Sequence, residues 1–365
     1  MYLAIGHRRG RTTENGISIF RYEPSDGSVE YVGRFCKPIH VGFLAASAKR
    51  DILYATDEVT TRGDKFGGYA DAVALDKING TAELIGEVPT NCANPTAAEV
   101  DEAEEYLLVS HHGNVFTKEL PDGTRERTYD AGKLMLYRLA PDGSIGELCD
   151  TWKAPSPDGV KEGILHIVER SPLGDFYAVC DKGLNKVYMF TIDRENAKIV
   201  LVCTADDRPG VSPRYCAFHG ELPFLYENNE CGYWVNCWRY DEKGRLTLAG
   251  SIDMCPEQPP LEPGSIGPSD IKVNPNGKAV YITVRSTNEL VAVSAEADGS
   301  MKMLARLSCG GEDPRAIAVS PDGRFLFCCN VGSDKVVVFA LDENGTPSYD
   351  REIALPYPGA ITFVE

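Results

Sequence analysis

Apolar and polar positions alternate along this chain in short runs, and the runs end in Gly, Pro, Asp, Asn or Ser. The pattern is plainest between Gly311 and Gly345. There residues 316–320, 325–330 and 335–341 are rich in Val, Ile, Phe, Ala and Cys, with Pro321-Asp322-Gly323 and Gly332-Ser333-Asp334 between them. Runs of this length and make-up, closed by turn residues, predict three antiparallel strands. So small a sheet cannot bury both of its faces alone, which implies that the unit is repeated. Further copies open at Val41, Asn94, Ile164, Ser212 and Gly267, and residues 2–6, 16–22 and 27–33 form an incomplete first one. No stretch of useful length carries the 3.6-residue period of an amphipathic helix.

The copies align on a leading proline: Pro95, Pro213, Pro268 and Pro314, with Val41 and Leu165 in its place in the second and fourth. Seven copies in 365 residues leave about 52 residues for each, the size of a four-stranded blade. The first copy lacks its leading strand, and the chain supplies it at the other end, where Pro358-Gly359-Ala360-Ile361 aligns with Pro314-Arg315-Ala316-Ile317. These patterns predict an all-β fold: a seven-bladed β-propeller, one domain over residues 1–365, its ring closed by the C-terminal strand in the N-terminal blade and so left without a free edge. The polar, Gly/Thr/Arg-rich segment 113–132 reads as a loop or hairpin inserted in the third blade.

Register then points to a site. In a propeller the leading strand of each blade lines the central channel. The residue after the leading proline, and the residue past the second strand, are expected at one mouth of it. The first set is Gly359, Gly42, Thr96, His166, Arg214, Ser269 and Arg315; the second is Gly6, Glu58, His112, Asp181, Glu230, Arg285 and Val331. Turn-forming residues would suffice at such places, yet blades four to six carry His166, Asp181, Arg214, Glu230 and Arg285. Chemistry borne at strand ends on a rigid scaffold is where function resides. The alternative is a solvated ring of ion pairs that ties blades together.

Charge sharpens this reading. The chain carries 37 basic and 54 acidic residues, a formal charge of −17, which argues against nucleic acid or an anionic membrane as partner. Arginines gathered at one mouth of so acidic a protein suit a small carboxylate or phosphate, which the planar guanidinium grips through two oxygens. A histidine and a carboxylate beside them are proton carriers. The sequence has no Gly-rich phosphate loop and no nucleophile elbow. Neither a metal nor another cofactor is expected: adjacent His111 and His112 point to opposite sides of a strand. His219, in a turn away from the mouth, reads as structural. The twelve cysteines form no CxxC pair and no zinc-like spacing. Cys180, Cys216, Cys328 and Cys329 lie in apolar runs and read as buried reduced thiols. The sequence enters a strand at once, without a signal-peptide pattern, and has no bilayer-length apolar run. A cytoplasmic monomer or small homo-oligomer is expected.

With these residues in view, the chain resembles the lactonase family of seven-bladed propellers, which includes bacterial 6-phosphogluconolactonase and the fungal carboxy-cis,cis-muconate cyclase. The resemblance covers nearly the whole chain and is clearest in SPRYCAFH and ENNE of blade five, GPSDIKVNPNGKAVYITVR of blade six and DPRAIAVSPDGRFLFCCN of blade seven. It implies that His166, Arg214, Glu230 and Arg285 form the catalytic set. Arg214 and Arg285 would also hold substrate, helped by Arg315, Asp181 and His112. Tyr215 replaces the family's usual His after the arginine, Val284 the Asn before Arg285, and His111-His112 the usual Asn-Tyr. The implied activity is hydrolysis of an anionic sugar lactone, 6-phosphogluconolactone by default. The alternatives are a muconate-type cycloisomerase and a propeller serving only as a binding module.

Overall fold

The apolar runs form the inner three strands of seven four-stranded antiparallel sheets. The computed structural model describes residues 1–8, 14–119, 125–157, 159, 161–262 and 265–365, with backbone alone for 115–119 and 125–129. The leading strands are Pro358–Val364, Val41–Ala46, Pro95–Val100, Leu165–Arg170, Pro213–Phe218, Pro268–Val273 and Pro314–Val319, in blades one to seven. Each touches the next, and the seventh touches the first, so the ring is closed. In blade one Tyr2–His7 pairs with Pro358–Val364, as the C-terminal repeat predicts. Edge-to-face rings seal that joint: Tyr22 lies 5.0 Å from Phe363 and 6.1 Å from Phe327, and Phe327 lies 5.7 Å from Phe363.

The second and third strands of each blade are buried on both faces because neighbouring blades cover them; Ile52–Asp57, Phe224–Asn229 and Ala279–Val284 are buried throughout. The fourth strands face solvent. Pro347–Ala354, just beyond the stretch where the sequence pattern is clearest, exposes most of its residues, which is why no apolar alternation announces it. The 113–132 insertion begins as a hairpin, Gly113–Glu119 against Arg125–Ala131. The one helix among the described residues is a 3₁₀ turn at Val331–Ser333, and no helix is long and apolar enough to cross a membrane.

One irregularity recurs in every blade. The pairing of the leading strand slips next to its first residue: Val41 pairs with Asp57 but Phe43 with Thr56, and Pro213 pairs with Asn229 but Tyr215 with Asn228. The same slip occurs at Pro95, Leu165, Pro268, Pro314 and Pro358. A β-bulge of this kind frees one residue from the ladder and re-aims its side chain. In blades one, two, three, five and seven that residue is the second of the strand, the one the sequence places at the mouth; in blades four and six the slip spans the second and third residues.

Deeper in the channel the leading strands surround a cavity of about 310 Å³ lined by Phe43, Tyr215, Glu99, Glu169, Asp270 and Lys272, among others. Burial, and then the neighbouring Glu169, push the Glu99 carboxyl up to about 8. A carboxyl raised in this way adds its stability fully below the ordinary Glu range and loses it as pH rises through 8. Glu99→Gln should therefore stabilise the fold above pH 8, by roughly 1–2 kcal/mol once channel solvent is allowed for, and raise the melting temperature there. The gain should shrink towards zero at pH 5. An equal gain at both pH values, read by thermal denaturation, would contradict this origin.

Candidate active site

Each site residue owes its place either to the bulge or to the end of the second strand. Arg214 and His166 are second residues of their leading strands; Glu230 and Arg285 directly follow Phe224–Asn229 and Ala279–Val284. The four converge. Glu230 is the centre: its Oε1 accepts a hydrogen bond from Arg285 Nη2 at 2.6 Å. Arg214 Nε stands 3.3 Å from the same oxygen, an ionic contact without hydrogen-bond alignment. Lys182 Nζ closes on Oε2. Arg214 Nη1 donates to Ser269 O at 2.7 Å, and Arg285 Nε donates to Gly267 O at 3.1 Å. These carbonyls fix both guanidinium planes before any ligand arrives.

Burial alone would raise the Glu230 carboxyl, but Arg214, Lys182 and Arg285 more than reverse it and hold the group below the usual carboxylate range. His166 lies beside this cluster and is buried; burial first, then Arg214, Lys182, His112 and Arg285, hold its imidazole well below 6.5. Its ring is 5.1 Å from Tyr215 and 6.0 Å from His112, and its Nδ1 has no hydrogen-bond partner among the described residues. His112, lowered to about 4 by burial and then Lys182, accepts at Nε2 from Lys182 Nζ at 3.4 Å. At neutral pH the arrangement is thus an ionised carboxylate under three cations, next to two uncharged imidazoles.

The sequence register needs two corrections. Asp181 does not follow the second strand of blade four but ends it, opposite Leu165. Its carboxylate is fully buried and turned into the loop, where it accepts from the amides of Ile164, Gly183 and Leu184 at 2.9–3.1 Å and from Tyr188 Oη at 3.1 Å. The mouth residue of blade four is Lys182. In blade one it is Arg8 rather than Gly6, because His7 pairs with Pro358. A signal for Lys182 was present: Asp57 also ends its strand and caps its loop through His40 N, so Asp57-Glu58 aligns with Asp181-Lys182. Arg315 does reach the mouth, though on the other side, where its Nη2 donates to Glu58 Oε2 at 3.3 Å. His219 is a structural tie: its Nδ1 accepts from two amides of its own turn, and its Nε2 donates to Gly277 O at 3.0 Å.

The base of the inserted hairpin borders the site. With His112, Ile164 and Glu162 it lines a groove of about 380 Å³. No three metal-ligating side chains cluster among the described residues.

Known proteins of similar sequence and fold place these features in context. A 6-phosphogluconolactonase of Formosa agariphila is 23% identical over 93% of this chain and 92% of its own. A 6-phosphogluconolactonase of Bacillus subtilis is 22% identical over 88% of this chain and 86% of its own. Among solved structures, the periplasmic gluconolactonase of Pseudomonas aeruginosa superposes with a TM-score of 0.84 at 25% identity, over 100% of this chain and 99% of that one. The family model described as "Lactonase, 7-bladed beta-propeller" matches residues 2–363. With its closed ring of seven blades and a match from end to end, the chain belongs to the lactonase family of seven-bladed β-propellers.

Proposed function

We propose that this protein, acting as one propeller over residues 1–365, hydrolyses the lactone of an anionic sugar acid, with 6-phosphogluconolactone the first substrate to offer it. The observation that carries the reading is the Glu230 carboxylate clamped by Arg214, Arg285 and Lys182 beside the uncharged imidazole of His166. Family membership and the names of the relatives support it. Twelve free thiols support a cytoplasmic site of action.

In this reading the lactone carbonyl lies against the arginines, whose fixed N–H donors meet the negative charge that grows on oxygen as water adds. His166 takes the proton from that water. The tetrahedral intermediate then expels the ring oxygen, which takes the proton back from His166 and leaves as a hydroxyl, and the product is the hydroxy acid. Glu230 has both oxygens engaged by cations, whereas His166 Nδ1 has no hydrogen-bond partner among the described residues. The part of Glu230 is to hold those cations in place.

Assay of the purified protein with 6-phosphogluconolactone and with a carboxymuconate, following acid release and diene absorbance, tests this. Turnover of the lactone above its spontaneous hydrolysis is expected; turnover of the muconate alone would replace the reading by cycloisomerisation. The pH profile gives a second test. An imidazole held below 6.5 is still unprotonated when pH falls through that value. On gluconolactone, which has no group titrating there, kcat/KM should stay within twofold between pH 8 and 6. An acid limb centred between 6 and 7 would rule out His166 as described.

A further inference from the structure

The mouth has a second cationic cluster, which the chemistry above does not use. Glu58 of blade two is bound by Arg8 of blade one, with Nη2 donating to Oε1 at 2.8 Å and Nη1 meeting Oε2, and by Arg315 of blade seven at 3.3 Å. In a seven-membered ring the joint between blades one and two faces blade five, so this cluster stands across the channel from Glu230. The span is short: Phe43 of blade two and Tyr215 of blade five bring their rings to 6.4 Å. His112 is subject to the fields of both Glu58 and Glu230.

The two clusters are built differently. Arg214 and Arg285 are anchored to backbone carbonyls, and their side chains are 2% and 8% exposed. Among the described residues the side-chain hydrogen bonds of Arg8 and Arg315 go to Glu58 alone, and these side chains are 24% and 15% exposed. The first pair suits a fixed, desolvated carbonyl oxygen. The second suits a hydrated oxyanion, which it can meet by giving up part of its hold on Glu58.

Space adjoins this second pair. The channel cavity reaches Gly42 and Gly359, the bulge residues of blades two and one. A Cβ on Gly42 would lie 2.5 Å from Glu58 Oε2, and one on Gly359 would lie 2.7 Å from Arg8 Cβ. Glycine at these two places keeps the boundary between the cluster and the cavity free of side chains. The opposite wall of the cavity is Tyr215, whose ring also touches His166 and lies under the Arg214 guanidinium, 4.7 Å from its carbon. A molecule lying on Tyr215 therefore has the Glu230 cluster at one end and Arg8 and Arg315 at the other.

We propose that Arg8 and Arg315, poised by Glu58, form a separate seat for an oxyanion carried at the end of the sugar acid remote from its lactone carbonyl. The inference rests on the lactonase reading for the other end of the molecule. It confines the substrate to aldonolactones bearing a terminal phosphate or carboxylate, and it frees Arg214 and Arg285 to act on the carbonyl.

Calorimetric binding of gluconate, 6-phosphogluconate and glucarate to the intact protein tests the seat without turnover. Wild-type protein should bind 6-phosphogluconate or glucarate at least tenfold more tightly than gluconate, and whichever is preferred identifies the anion. Arg315→Met and Arg8→Met should each cut that preference at least fivefold. Glu58→Gln, which removes the competing carboxylate, should raise it, a sign that a misfolded variant cannot produce. Equal affinity for all three ligands, or loss of preference in Glu58→Gln with its melting temperature unchanged, overturns the seat. Kinetics separate the two claims: if lactones turn over but Arg315→Met leaves the 6-phosphogluconolactone to gluconolactone ratio of kcat/KM within twofold, the seat fails while the lactonase reading stands. If no lactone turns over and the binding preferences appear as described, the seat stands and the lactonase reading fails.

Discussion

Glutamine at position 230 should lower kcat/KM at least a hundredfold and destabilise the fold at the same time. The reason lies in what remains. Arg214, Arg285 and Lys182 have side chains 2%, 8% and 14% exposed, and Glu230 is the carboxylate all three share. Removing one partner of a buried charge group leaves the others uncompensated, at a cost of roughly 3–5 kcal/mol. The arginines then lose the orientation that aims them at the carbonyl, and a hundredfold loss corresponds to about 2.7 kcal/mol of transition-state binding. The second substitution Lys182→Met should relieve one of the stranded charges and restore at least a third of the lost stability, because residues in one ion network are not additive. Denaturation of both single variants and the double variant measures this. A double variant as unstable as the worse single one would show that the three cations do not share Glu230 in the way described. The pH dependence has a fixed sign: a carboxyl held below its usual range keeps the clamp until pH falls through that lower value, so mild acid leaves it closed.

Replacing His166 with glutamine should cut kcat by a factor of about 100 to 10,000, the range for loss of a general base, with KM changed less than threefold. Stability should hardly move. The imidazole is already uncharged at neutral pH and its Nδ1 has no partner to lose. Glutamine keeps much of the volume against Tyr215 but takes up no proton. A loss in kcat below threefold would move the base elsewhere, and His112, which faces the His166 ring at 6.0 Å, is the next group to replace.

How much of this was readable in the chain depended on where each residue stands relative to the repeat. The ring and its closure were, because the buried strands must be apolar and the strand at Pro358 has no other sheet to join. The mouth positions of His166, Arg214, Glu230 and Arg285 were, because counting from the first residue of a leading strand or from a full six-residue strand puts them in register; the family resemblance then singled these four out. Arg8 was not, and Lys182 only through the parallel of Asp57-Glu58 with Asp181-Lys182. Blade four's second strand, Tyr177–Asp181, is one residue short, and blade one places its bulge at the far end of the chain from Arg8. Asp181 misled for a physical reason: an aspartate that caps three loop amides looks, in sequence, like an aspartate facing a ligand. The outer strands were hidden because solvent sets no apolar pattern on them.

The register slip near the start of every leading strand leaves the chain with seven sockets around one mouth. In this one molecule they already hold Gly, Gly, Thr, His, Arg, Ser and Arg, a spread from no side chain to the longest cation. Several of them are tied: a Cβ at Gly42 or Gly359 would press on Glu58 or Arg8, and the side chains of Thr96, Arg214 and Ser269 bond to backbone carbonyls of the next blade. Substrate choice in such a ring can therefore drift most freely at His166 and Arg315, whose side chains make no hydrogen bond to a neighbouring blade's backbone among the described residues.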